Sequence, residues 1–185
     1  MATPAVTTQN PRFFDSPLTP APAWGHTLVR VVSRRATEFI DITDRLETIV
    51  AAAGIVAGVI NSQTLHTTTG LVVNEREPLL LADFESALDR TAPAGMAYRH
   101  DDLSSRTVNV TIDERVNGHA HCRALLLPTS VCLNIVDGRL LLGQWQRVFL
   151  AELDGPRERV ISVMVLGETN SALPARALNS AAGLR

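Results

Sequence analysis

Residues 130–166 read SVCLNIVDGRLLLGQWQRVFLAELDGPRERVISVMVL, and this stretch decides the fold class. Ser130–Val136 is rich in β-branched and apolar residues and reads as a strand. Asp137-Gly138 follows, a pair that accepts the positive φ angles of a tight hairpin turn. Arg139–Leu142, Gln144–Leu153 and Arg157–Leu166 then read as three more strands, together an antiparallel meander. Between the last two lies Asp154-Gly155-Pro156-Arg157, whose residue types favour a turn.

Upstream of this stretch, Glu114–Leu127 reads as a helix that Pro128 ends. Pro78 suits the first turn of a helix over Glu77–Arg90, where Leu80, Leu81, Phe84, Ala87 and Leu88 keep helical spacing. Another helix starts with Thr43 or Asp44 as its cap, runs through Leu46, Ile49, Val50 and Ala53, and stops at Gly54. Thr27–Val32, Glu38–Ile42, Ile55–Ser62 and Thr67–Asn74 read as strands. Strands outnumber helices and the connections are mostly short. The expected class is α+β, mainly antiparallel sheet with about three helices.

The five prolines among residues 1–25 mark that stretch as a flexible tail, and residues 169–185 read as a second one. Residues 26–168 are then one domain, which suits a chain of 185 residues. The formal net charge is -2, so nucleic acid is excluded as the main partner. All 17 basic residues are arginine, which excludes a Schiff-base lysine and a phosphate-loop lysine. Cys122 and Cys132 form no metal-ribbon spacing and read as small apolar side chains. No leader segment and no membrane span are expected, which points to a cytoplasmic location. No GxSxG or GxGxxG motif is present, so serine hydrolase and dinucleotide folds are rejected.

His66, His100, His119 and His121 fall at the ends of expected elements. Neutral imidazoles from separate elements can hold a metal such as zinc and leave a position open. On a helix, Asn117 and His121 share a face and His119 lies opposite. On a pleat, His66 and Asn74 point to one side and Glu75 to the other. Spacing alone, however, favours four ordinary polar histidines. Among the arginines, Arg157 after the turn is the first candidate for a phosphate, which a guanidinium fork suits. Trp145 reads as core or contact surface, and Gln146 as polar lining.

Taken together, several strings resemble the YjbQ family. They are His66-Thr67-Thr68-Thr69-Gly70-Leu71 with Val73-Asn74-Glu75, Asn117-Gly118-His119-Ala120-His121, Asp137-Gly138-Arg139-Leu140, Leu142-Gly143-Gln144-Trp145-Gln146 and Glu152-Leu153-Asp154-Gly155-Pro156-Arg157. His100 matches a histidine shortly after the second helix, and the resemblance runs from about Arg35 to Glu168. It implies an antiparallel α+β fold, a homotrimer, and a divalent metal, zinc or magnesium, on His66, His100 and His121. It further implies thiamine-phosphate synthase-like transfer of a pyrimidine from its diphosphate to thiazole phosphate. Asn74 and Asn117 would orient the ligand, Glu75 would serve acid-base chemistry, and Gln146 would line the pocket. Thr68, Arg123 and Arg157 would meet the phosphates. Two rivals use the same histidines: a metal-dependent hydrolase of a small phosphoester or amide, and a trimeric binding protein without turnover. The chain departs from the family pattern at Gln144, Cys122-Arg123 and Leu127-Pro128, which bears on the choice of substrate.

Overall fold

The computed structural model describes residues 21–169. In chain order the elements are β1 (Ala21–Val32), β2 (Glu38–Asp41), α1 (Thr43–Ala53), β3 (Ile55–Thr64), β4 (Thr69–Glu75) and α2 (Pro78–Thr91). A one-turn 3-10 segment at Arg99–Asp101 precedes α3 (Gly118–Ala124), and β5 (Ser130–Val136), β6 (Arg139–Leu140), β7 (Gln146–Glu152) and β8 (Glu158–Thr169) complete the chain. The strands form a five-stranded sheet, β1-β8-β3-β5-β6, and a three-stranded sheet, β2-β7-β4. Every pairing is antiparallel. The α+β class with three helices is therefore the observed one.

Local chemistry explains the element ends. Asp137 and Gly138 both have positive φ, 51° and 74°, and close the β5–β6 hairpin as a primed turn. Gly54 ends α1 in the left-handed conformation at φ 67°. The start of α1 differs from expectation: its cap position is Ile42, which has no capping side chain, and Asp41 just before it takes up the first amide. The Asp41 carboxylate accepts the Thr43 amide at 2.9 Å and its hydroxyl at 2.7 Å. Pro78 opens α2, and the Glu77 side chain accepts the Leu79 and Leu80 amides at 2.9 and 2.7 Å.

The expected meander is only half formed. β5 and β6 pair, but β7 joins β2 and β4 in the other sheet, and β8 lies between β1 and β3. Burial gives the reason. Val148, Phe149, Leu150 and Ala151 of β7 are all fully buried, so both faces of that strand need cover. On one side, Val148 and Leu150 meet Leu71 and the inner face of the larger sheet, including Ile60, Ile161, Val163 and Val165. Ile42, Leu46 and Val50 of and beside α1 join this core. A second cluster joins Leu88 of α2, Ala120 of α3 and Leu153, with Phe39 packed against it. Each such side chain, fully buried, contributes about 1.5–3 kcal/mol. By contrast β8 alternates, and the outer face of the larger sheet leaves Trp24, Leu28, Met164 and Leu166 exposed.

Three further expectations change. The third helix covers Gly118–Ala124 only, not residues 114–127. The strand expected from Thr67 starts at Thr69. Residues 21–25 and Thr169, expected in the tails, belong to β1 and β8, and the rest of both expected tails lies outside the described residues. Cys122 and Cys132 are free and exposed. Among the described residues, no helix is long and apolar enough to cross a membrane.

Candidate functional site

A cavity of about 740 Å³ opens where the β3–β4 turn, the 3-10 segment, α3 and the start of β8 meet. His66, Thr68, His100, Asn117, His121, Arg157 and Arg159 line it, with Arg106, Glu114 and Arg115 from the loop before α3.

His66 sits in the turn that a hydrogen bond between the Thr64 and Thr69 hydroxyls closes. Its Nε2 accepts the Val160 amide N–H of β8 at 2.8 Å. A ring nitrogen that accepts carries no proton, so the ring proton is on Nδ1. Burial, followed by the nearby Arg159 guanidinium, holds its pKa below the ordinary histidine value, in keeping with a neutral ring.

His100 and His121 meet through a close approach of backbone. Asp101 Oδ1 accepts the amides of Asn117 and Gly118 at 3.0 and 2.8 Å, which fixes the start of α3 against the 3-10 segment. A Cβ on Gly118 would lie 2.5 Å from that of Tyr98, so only glycine fits there. One turn into α3, the His121 ring stands edge-on to His100 with centroids 4.6 Å apart. His100 Nε2 is buried without a hydrogen-bond partner. Burial first, then the neighbouring His100, lowers the His121 pKa.

Behind the histidines lies an ionic floor. Glu152 is fully buried, and both its oxygens accept from Arg159, with Nε–Oε2 at 2.7 Å. Burial pushes the Glu152 carboxyl up, but hydrogen bonds from Arg159, the Asp154 amide and Ser33 outweigh it and leave the group below the usual carboxylate range. Arg159 also donates to the Thr68 hydroxyl at 3.0 Å. Asp154 accepts Asn117 Nδ2 at 2.9 Å and pairs with Arg157 at 3.0 Å and Arg115 at 3.8 Å. The Asn117 Oδ1 is left buried and unpartnered. In the loop, Arg106 donates to Glu114 at 2.7 Å and to the His100 carbonyl at 3.4 Å. The Arg106 hydrogen bond, with the Thr111 amide, pushes the Glu114 carboxyl down to about 2.

The cavity thus gathers six of the ten residues expected from sequence: His66, Thr68, His100, Asn117, His121 and Arg157. Arg123 is elsewhere. It is buried behind α3, bonded to the Ala92 carbonyl at 2.9 Å, Thr37 at 3.1 Å and Asp89 at 2.6 Å, a structural cation with no free fork for phosphate. Asn74, Glu75 and Gln146 are also apart, at the far end of β4, where Glu75 pairs opposite Gln146. Six residues of strand from Thr69 to Glu75 span roughly 20 Å. The pleat argument joining His66 to Asn74 does not hold, because His66 precedes the strand. Asp154 and Asp101 are not singled out by the sequence, whereas Arg159 is one of the arginines that the sequence offers for a phosphate and instead pairs with Glu152. Asp154 reads as a turn former and Arg159 as a strand cation, and neither type signals a partner distant in sequence.

Among the described residues, no three His, Cys, Asp or Glu side chains form a group able to hold a metal ion. Among the described residues neither ring of the adjacent imidazoles His100 and His121 finds a hydrogen-bond partner, and one has a buried orphan nitrogen. His66 Nε2 is already occupied. Two imidazoles are one donor fewer than the three protein ligands usual at an open zinc site, so a metal held there would take the rest of its shell from ligand or solvent oxygens.

A family model described as UPF0047 protein YjbQ-like matches residues 27–168. A UPF0047 protein of Methanothermobacter thermautotrophicus is 37% identical over 134 residues, which cover 72% of this chain and 86% of the relative. The UPF0047 protein YugU of Bacillus subtilis is 28% identical over 142 residues, 75% of this chain and 97% of the relative. The crystal structure of a YbjQ-like protein of unknown function from Sulfolobus solfataricus P2 superposes with a TM-score of 0.72 at 32% identity, covering 80% of this chain and all of that one. The expectation of a thiamine-phosphate synthase is overturned here. These relatives are described only as UPF0047 or YjbQ-like proteins, and none is described as a transferase. The residues assigned to that reaction are also divided between two ends of a sheet.

Proposed function

This chain belongs to the UPF0047 YjbQ-like family, and from that premise we propose that its cavity binds a small phosphate-bearing molecule together with a divalent metal ion held by His100 and His121. The observation that carries this reading is the buried, unpartnered Nε2 of His100 beside the His121 ring. A buried polar atom without a partner costs about 1–3 kcal/mol, a cost that an occupant of the cavity removes. Neutral imidazole is the ligating form, and burial favours that form at His121. Imidazole donors suit zinc better than magnesium, so zinc is the ion of choice.

Charge decides why the two guests belong together. The guanidinia of Arg106, Arg115, Arg157 and Arg159 face the carboxylates of Glu114, Asp154 and Glu152, with Asp113 also on the cavity wall. Four positive groups are matched by four negative ones, so the protein alone offers a phosphate dianion no net attraction. A divalent cation supplies that attraction, and once bound it polarises a phosphoryl oxygen. Arg157, on the rim with Asp154, orients the phosphate, and Asn117, tied to the same carboxylate, keeps its Oδ1 for the ligand or its water. The homotrimer stays with this reading as a proposal, supported by the apolar outer face that carries Trp24, Leu28, Met164 and Leu166.

Titration of the purified chain with zinc, then with inorganic phosphate, tests the reading by calorimetry. The expected result is one zinc per chain and phosphate binding that strengthens when zinc is present. His121→Ala should weaken zinc binding by at least the roughly 10–100-fold typical of losing a lesser, outer-shell partner. Full zinc affinity in His121→Ala, or phosphate binding indifferent to zinc, overturns it.

A further inference from the structure

We infer that His66 is not a metal ligand but the cavity's neutral N–H donor, holding an acceptor oxygen of the bound anion through Nδ1. The ligand's presence rests on the proposed function above; the state of His66 does not. Two bonds clasp the His66 turn to β8. The Val160 amide donates to His66 Nε2 at 2.8 Å, and the Leu65 amide donates to the Val160 carbonyl at 3.3 Å. Val160 is itself held in register, opposite Arg30 of β1. A backbone N–H can only donate, so Nε2 must present its lone pair and the proton must sit on Nδ1.

That assignment leaves no nitrogen for a metal. Ligation through Nε2 would break the bond to Val160 and leave a strand amide without an acceptor. Ligation through Nδ1 would require removal of the remaining ring proton, giving an imidazolate. Nδ1–H, by contrast, has no hydrogen-bond partner among the described residues, and its ring lines the cavity beside Thr68 and Arg157. The Thr68 hydroxyl accepts from Arg159, so its own proton is free to donate. His66, Thr68 and Arg157 therefore all offer donors, and the group that suits three donors is one that only accepts. A fully ionised phosphate monoester fits this description; the acceptors of the wall, Asn117 Oδ1, Asp113 and Glu114, lie in the segment leading into α3 and not among these three residues.

The test combines histidine ¹⁵N NMR with binding of zinc and inorganic phosphate. His66 should show a protonated Nδ1 and an unprotonated Nε2, with and without zinc. His66→Ala should keep wild-type zinc affinity but lose about tenfold in phosphate affinity. His66→Asn, whose amide nitrogen falls near the Nδ1 position, should recover part of that loss, while His66→Gln should not. A protonated Nε2, or zinc affinity that falls in His66→Ala as far as in His121→Ala, overturns the inference. If the wild type binds neither zinc nor phosphate, the proposed function fails, and the NMR tautomer still decides the state of His66.

Discussion

Both ends of the three-stranded sheet carry polar strings that resemble the family, yet they differ in what their polar atoms have left to do. Near the start of β4, His100 Nε2 and Asn117 Oδ1 are buried without partners, and the His121 ring makes no hydrogen bond among the described residues. At the other end the polar side chains are paired within the protein or exposed to water. Arg147 donates to Asp41 at 2.8 Å and to Asp44 at 2.7 Å, Gln146 Oε1 accepts the Gly143 amide at 2.7 Å, and Asn74 Oδ1 accepts the Glu75 amide at 2.9 Å. Polar clusters that satisfy themselves hold a fold together, whereas clusters with orphaned atoms are built to receive something.

The sharpest way to break this contrast is Glu152→Gln, because the cavity end also contains a saturated part. Arg159 and Glu152 are buried together, and removing one charge strands the other. The expected loss is about 3–5 kcal/mol of stability by denaturant titration. The wild type should also be acid-sensitive in a way the variant is not. The folded Glu152 carboxyl lies below the usual carboxylate range, so its contribution is present above the unfolded pKa, near 4.5, and is lost as pH falls through the lower folded value. A variant as stable as the wild type, with the same acid profile, would mean that the floor is not structural.

Arg147→Met is the matching change at the far end, and a smaller one. Arg147 is partly exposed, but its partner Asp41 is nearly buried and also accepts the Thr43 amide at the start of α1. About 1–2 kcal/mol should be lost, with zinc and phosphate affinity unchanged. A fall in ligand affinity without loss of stability would reverse the roles assigned to the two ends.

What was legible in sequence follows the range of each interaction. The hairpin at Asp137-Gly138, the stop at Gly54 and the start at Pro78 are set by neighbours in the chain, and all three form as read. The start of α3 is set by Asp101, which takes up the amides of Asn117 and Gly118, so the reading that begins the helix at Glu114 starts it too early. The partner of β7 is set by which faces need cover, and strand spacing cannot say whether the next strand is beside it or in another sheet. In the site, the resemblance brought His66, His100, His121 and Arg157 to attention, but not whether their nitrogens were free. That depends on Val160, an amide in a strand that begins far downstream of the turn it clasps.

Glu75→Gln carries the smallest expected effect and tests the comparison most directly, because Glu75 belongs to the same resembling string as His66 yet ends the strand roughly 20 Å from it. Among the described residues its carboxylate makes no salt bridge, and the one bond to that residue uses its backbone amide. Removing the charge should therefore move stability by no more than about 0.5 kcal/mol. At that distance water and salt screen it from the cavity, so zinc and phosphate affinities should match the wild type at physiological ionic strength. A tenfold change in either affinity would show that this end of the sheet reaches a bound ligand after all, and within one chain it has no route to do so. The carboxylate would then have to act on the cavity of a neighbouring copy, and mixing Glu75→Gln chains with His121→Ala chains would restore binding that neither variant has alone.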